Sequence, residues 1–158
     1  MKKITILSLL VGVFANSYAQ NVETTNFNSP FGITIADGFM YVAETATNAI
    51  SRYDLADLSA TPVAIVENTA VGADVSFYEG EMYIANFDQN ATGFVSKFDP
   101  TDAAPATTEN VTNTTGQTIF LDIENDFLYL AHRDVGNVTR VDVTDASPSE
   151  EIIGLVEG

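Results

Sequence analysis

The 158-residue chain contains no cysteine and no tryptophan, one histidine, and six basic residues against 22 acidic ones. Without cysteine there is no disulfide to brace the fold, no thiolate for a zinc site and no sulfur for a lipid anchor. No Cys/His cluster, glycine-rich phosphate loop or Gly-x-Ser-x-Gly elbow occurs. The shortage of positive charge, a net of −16, repels nucleic acids and anionic membrane surfaces. It attracts cations or basic partners, and it keeps a chain dissolved in a salty medium.

Long apolar runs are scarce too, and the one at the N-terminus is informative. Met1-Lys2-Lys3 is positive, Ile4 to Phe14 is mostly apolar, and Asn16-Ser17-Tyr18-Ala19 ends in a small residue. This is the layout of a secretory signal, with cleavage expected after Ala19. The run is too short for a stable membrane span. The expectation is a secreted or periplasmic bacterial protein with a signal peptide over 1–19, a lead-in over 20–29 and a folded part over 30–158. Cleavage removes Lys2 and Lys3, leaving 4 basic against 22 acidic residues, a net of −18.

What the chain has in abundance is valine, isoleucine, threonine and aromatic residues, which suit strands. They recur in three similar units. Gly32 to Ala36, Asp37-Gly38 and Phe39 to Glu44 form the first. Ala73 to Tyr78, Glu79-Gly80 and Glu81 to Asn86 form the second. Gln117 to Ile123, Asn125-Asp126 and Phe127 to His132 form the third. Each reads as a strand, a tight turn and a second strand. A third strand follows with the pattern apolar, hydroxyl, basic, apolar, Asp: Ile50 to Asp54, Val95 to Asp99, and Val138 to Asp142. A weaker fourth strand is expected over Pro62 to Glu67, roughly Thr107 to Thr112, and Glu150 to Val156. The tyrosines at 41, 83 and 129 are spaced by 42 and 46 residues. Four strands per 40–50 residues is the signature of a propeller blade. The expected fold is all-β, with blades over about 30–67, 72–112 and 116–156.

The second strands carry Met40, Val42; Met82, Ile84; Leu128, Leu130 on one side, and Tyr41, Ala43; Tyr83, Ala85; Tyr129, Ala131 on the other. Both faces are largely apolar, so both need cover, which blades packed face to face provide. The segment Pro30-Phe31-Gly32-Ile33-Thr34-Ile35-Ala36-Asp37-Gly38-Phe39-Met40-Tyr41-Val42-Ala43-Glu44 resembles a repeat of the NHL-type and SMP-30/gluconolactonase-like six-bladed propellers. The resemblance extends over roughly residues 30–156, without the Gly-His and Trp-Asp marks of WD40 blades. It implies half of a six-bladed propeller. It also implies a channel that often binds a divalent metal, and lactone hydrolysis in some members. Gly158 falls where a fourth repeat would open. Either a longer propeller or a homodimer completing one ring is expected.

In a propeller, loops entering first strands and leaving second strands share one face. That groups Asn28, Ser29, Asp74 and Gln117 with Glu44, Asn86 and His132. Glu44, Asp74, Asn86, Gln117 and His132 are therefore the ligand-face candidates, and Glu44, Asp74 and Asn86 the candidate ligands for a hard cation such as Ca²⁺. His132 has no recognisable nucleophile partner, and no catalytic set is assigned. The functional expectation is a binding or interaction module for a protein or small molecule. The alternative is a calcium-dependent lactonase-like hydrolase.

Overall fold

The computed structural model describes residues 27–67, 71–87 and 92–155. The expected signal peptide and the lead-in up to residue 26 lie outside the described residues. Twelve strands form three four-stranded antiparallel sheets, and no helix occurs among the described residues. The first sheet comprises β1 (Pro30–Ala36), β2 (Phe39–Glu44), β3 (Ala49–Asp54) and β4 (Val63–Val66). The second comprises β5 (Val71–Tyr78), β6 (Glu81–Phe87), β7 (Phe94–Phe98) and β8 (Glu109–Asn113). The third comprises β9 (Thr118–Glu124), β10 (Phe127–His132), β11 (Asn137–Asp142) and β12 (Glu151–Leu155). In each sheet the strands lie side by side in chain order.

The recurrent residues each have a local cause. Asp37-Gly38, Glu79-Gly80 and Asn125-Asp126 all hold two successive positive φ angles: 49° and 82°, 47° and 89°, 51° and 68°. Two such residues turn the chain with the twist an antiparallel hairpin needs. An aspartate at or just past the end of each third strand folds back on the chain. Asp54, Asp99 and Asp142 accept the amides of Ala56, Thr101 and Thr144 at 2.7–2.9 Å. The basic residue two positions earlier covers the first residue of the second strand. Arg52 and Arg140 lie 4.9 Å over the rings of Phe39 and Phe127. Where the second repeat has Glu81 instead of Phe, Lys97 reaches its carboxylate at 3.8 Å.

Register irregularities repeat as well. Each first strand skips a pairing near its start, and each fourth strand skips one against the third. A bulge adds local twist and turns a side chain aside. Its recurrence at one site in three sheets marks it as part of the repeat.

The sheets stack in sequence order. Tyr41 and Ala43 of the first meet Met82 and Ile84 of the second in one buried cluster. Tyr83 and Ala85 of the second meet Leu128 and Leu130 of the third in another. A tyrosine–alanine face thus packs on an aliphatic face at both junctions. Each fully buried Ile, Leu or Met contributes about 1.5–3 kcal/mol. Neighbouring sheets approach most closely along their first strands, with β1 and β9 both against β5. Phe31 of β1 and Phe120 of β9 nonetheless stack on each other, ring centroids 5.8 Å apart. The two strands flanking β5 therefore curve towards one another, and the sheets fan outward from their first strands.

Candidate functional site

Glu44, Asn86 and His132 hold the same place in their sheets, near the end of the second strand and on its aliphatic face. Sequence reasoning put them on a ligand face. The structure buries all three inside strands. Beside each stands the hydroxyl of the third-strand pattern. Ser51 donates to Glu44 at 2.8 Å, Asn86 donates to Ser96 at 2.8 Å, and His132 meets Thr139 at 2.8 Å. The repeated hydroxyl exists to satisfy the polar residue buried next to it.

Each slot is completed differently. Glu44 also accepts from the Tyr53 hydroxyl at 3.0 Å and the Asn28 amide at 3.3 Å. Burial first, and then the Glu44 carboxylate, push the Tyr53 phenol up to about 12. Asn86 donates also to the Ile84 carbonyl, while its Oδ1 is buried without a protein partner.

The third slot is the most elaborate. His132 Nε2 lies 2.9 Å from Glu150 Oε1, with both side chains nearly inaccessible. Glu150 accepts as well from Thr139 Oγ1 at 2.9 Å and the Thr115 amide at 2.7 Å. His132 Nδ1 lies 3.2 Å from Thr118 Oγ1. Thr118 donates to Thr114, which donates to the Gly116 carbonyl. A hydroxyl has one proton. With Thr118 and Thr139 already donating elsewhere, both imidazole nitrogens face acceptors.

Burial alone would raise the Glu150 carboxyl. The hydrogen bonds from His132, the Thr115 amide and the two threonine hydroxyls outweigh it and bring it down to about 2 from 4.5. A lowered carboxyl contributes stability that is present above its unfolded value and is lost as pH falls through its folded value. Glu150 should therefore stabilise the fold by about 2 kcal/mol above pH 4.5, allowing for solvent at its outer side, with the loss running from there to about pH 2. Urea unfolding of the native chain and of Glu150→Gln at pH 7, 4 and 2.5 checks this. The gap between the two should close on acidification.

Glu150 also lies on the wall of a cleft of about 780 Å³ between the second and third sheets. Asn110 and Asn113 of β8 form one bank, and Ser147 and Ser149 ahead of β12 form the other. Thr112 Oγ1 reaches across to the Pro148 carbonyl at 3.2 Å. Lys97 lies within reach of Glu81 and Glu109 at 3.8 and 3.9 Å. Sequence reasoning missed Glu150. The signal for it was the unpaired histidine itself, since a lone imidazole among apolar strands calls for a nearby acid.

Asp74 links the fan at its first strands. Its carboxylate accepts the Val75 amide at 2.9 Å and the Leu121 amide of the next sheet at 3.1 Å. Burial raises its pKa most; the two amides oppose this and nearby Asp122 adds to it. Gln117 accepts from the Arg133 guanidinium at 2.8 Å. Within repeats the Asn28 amide reaches Glu44, and Gln117 lies beside Arg133. Glu44, Asp74 and Asn86 each have separate partners, and no group of three His, Asp or Glu suited to a metal occurs among the described residues. No protein-family model matches the chain, and no curated protein matches it.

Proposed function

We propose that the chain is an exported β-propeller repeat protein that acts as a binding module, with its ligand seated in the cleft between the second and third sheets. The carrying observation is the division of polar groups. The slot groups mostly hydrogen-bond to one another, whereas the cleft gathers side-chain amides and hydroxyls around about 780 Å³ of open space. The sheets favour the propeller reading: four strands each in chain order, alternating faces shared with neighbours, and a fan about the first strands. The N-terminal sequence favours export. The repeat resembles those of NHL-type and gluconolactonase-like propellers.

The ligand class follows from the lining. An acidic chain disfavours anions. Asparagine and serine side chains offer both donors and acceptors, which match the hydroxyls of a saccharide. Calorimetric titration with a panel of neutral oligosaccharides should find a binder whose affinity falls at least tenfold in Asn110→Ala and Asn113→Ala. No binding across the panel would remove the saccharide reading. Binding unchanged in both variants would move the site elsewhere.

A further inference from the structure

The first slot and the third are built alike but filled differently. In the third sheet Thr139 faces Ile152, and the residue two places before Ile152, Glu150, meets His132 at 2.9 Å. In the first sheet Ser51 faces Ala64, so the place of Glu150 falls to Pro62. The slot residue there, Glu44, is itself the acid. Among the described residues no basic side chain pairs with it. Where the third slot has a second ionisable group, the first has a cavity of about 310 Å³. Buried Glu44, Ser51 and Tyr53 line its inner side. Exposed Asn28, Thr47 and Glu67 line its outer side.

The hydrogen bonds decide what this cavity can hold. Glu44 accepts the Asn28 amide and the Tyr53 hydroxyl on Oε1, and the Ser51 hydroxyl on Oε2. A carboxylate has about four acceptor positions, so one is left, on Oε2. The Thr47 hydroxyl donates to the Glu44 carbonyl at 3.4 Å. Ser51, Tyr53 and Thr47 have thus each given their single proton to Glu44, and such hydroxyls have only lone pairs left to offer. Glu67 adds a second carboxylate. We propose that this cavity binds a primary ammonium group, set against Glu44 and Ser51 with Glu67 at the entrance. An ammonium brings three donors and no acceptor, the complement of this lining. Its hydrogen bonds to a carboxylate are charge-assisted, and the acidic chain draws cations towards it. A hard metal ion takes about six to eight oxygens, and no group of three acids gathers here among the described residues. The volume is at the small end for ligand pockets, which suits a short alkylamine or the end of a lysine side chain. The site is independent of the saccharide reading of the cleft, so either can fail alone.

Nuclear magnetic resonance titration with n-butylammonium chloride should shift the amides of Ala49, Ser51 and Ala64 saturably. The uncharged n-butanol, of the same length, should not. Glu44→Gln keeps the shape and removes the charge, and should weaken binding roughly tenfold. Glu67→Gln, at the exposed entrance, should weaken it by about threefold. Glu124→Gln removes an exposed acid of β9 and should leave the affinity unchanged. A lysine capped at both backbone ends separates the two sources of the ammonium. Tighter binding than n-butylammonium assigns the cavity to a lysine side chain, and weaker binding assigns it to a free amine. No saturable shift at tens of millimolar, an equal response to n-butanol, or an equal loss in Glu124→Gln would each overturn the proposal. So would calcium chloride producing the same shifts at lower concentration, or a folded Glu44→Gln that binds as the native chain does. If Glu44→Gln does not fold, the comparison with n-butanol and Glu67→Gln decide in its place, and an affinity unchanged by Glu67→Gln then overturns the proposal.

Discussion

Replacing His132 by alanine is expected to lower stability by about 2–3 kcal/mol at pH 7, the cost of leaving a buried carboxylate without one of its hydrogen-bond partners. The Glu150 carboxylate is nearly inaccessible and has no Lys or Arg at hydrogen-bond distance among the described residues. Removing the imidazole leaves that charge with two threonine contacts and burial against it. A whole domain commands about 5–15 kcal/mol, so the urea midpoint should fall by a large fraction of its native value. Two further results identify the cause. The variant's deficit should shrink as pH drops toward 4, because burial, no longer opposed by His132, lets the carboxyl take up a proton. The double variant His132→Leu, Glu150→Met should be more stable than His132→Ala, since replacing both buried hydrogen-bond partners by apolar groups of similar size costs little. A deficit below 1 kcal/mol, or one independent of pH, would show that the pair contributes nothing particular.

The parts of this molecule legible in its sequence are those that recur. First and second strands announce themselves as apolar runs, third strands by apolar, hydroxyl, basic, apolar, Asp, and the turns by Asp-Gly, Glu-Gly and Asn-Asp. The fourth strand of the second repeat, read as roughly Thr107 to Thr112, runs Glu109–Asn113. Its sequence, Glu-Asn-Val-Thr-Asn, has one apolar residue and so no alternation to read; pairing with β7 and the Thr112–Pro148 contact fix its place. The candidate site was legible only as a set of equivalent positions. Glu44, Asn86 and His132 were recognisable as sister residues. Their burial was not, because a polar residue at a strand end reads as the start of a loop. The recurring hydroxyl at Ser51, Ser96 and Thr139 held the missing information. A polar residue recurring on one strand and a hydroxyl recurring on the same face of the next, here 7, 10 and 7 residues on, are diagonal neighbours in the ladder. Glu150 lay beyond this reasoning because its contact with His132 depends on how the segment before β12 folds back.

The junction between the first two sheets should prove equally sensitive to a single methyl group. Gly32→Ala is expected to destabilise the fold by on the order of 3 kcal/mol, at the upper end for overpacking a close contact. A Cβ built on Gly32 would lie 2.5 Å from Asp74 Cα and 2.9 Å from the Ala73 carbonyl oxygen. Both are main-chain atoms, so no rotamer change relieves the clash, and β1 must move away from β5. That movement reaches the next junction too. The same Cβ would collide with the Asp74 carboxylate, whose other oxygen holds the Leu121 amide of the third sheet. One substitution in the first sheet should therefore weaken a hydrogen bond in the third, visible as faster hydrogen exchange at Leu121. Gly154→Ala is the matched control, because a Cβ there meets nothing within 4 Å. It should leave stability within about 0.5 kcal/mol of native and the Leu121 amide unchanged. Should Gly32→Ala melt with the native chain, the first strands would have to be loosely packed, and the fan would lose the contact that sets its pitch.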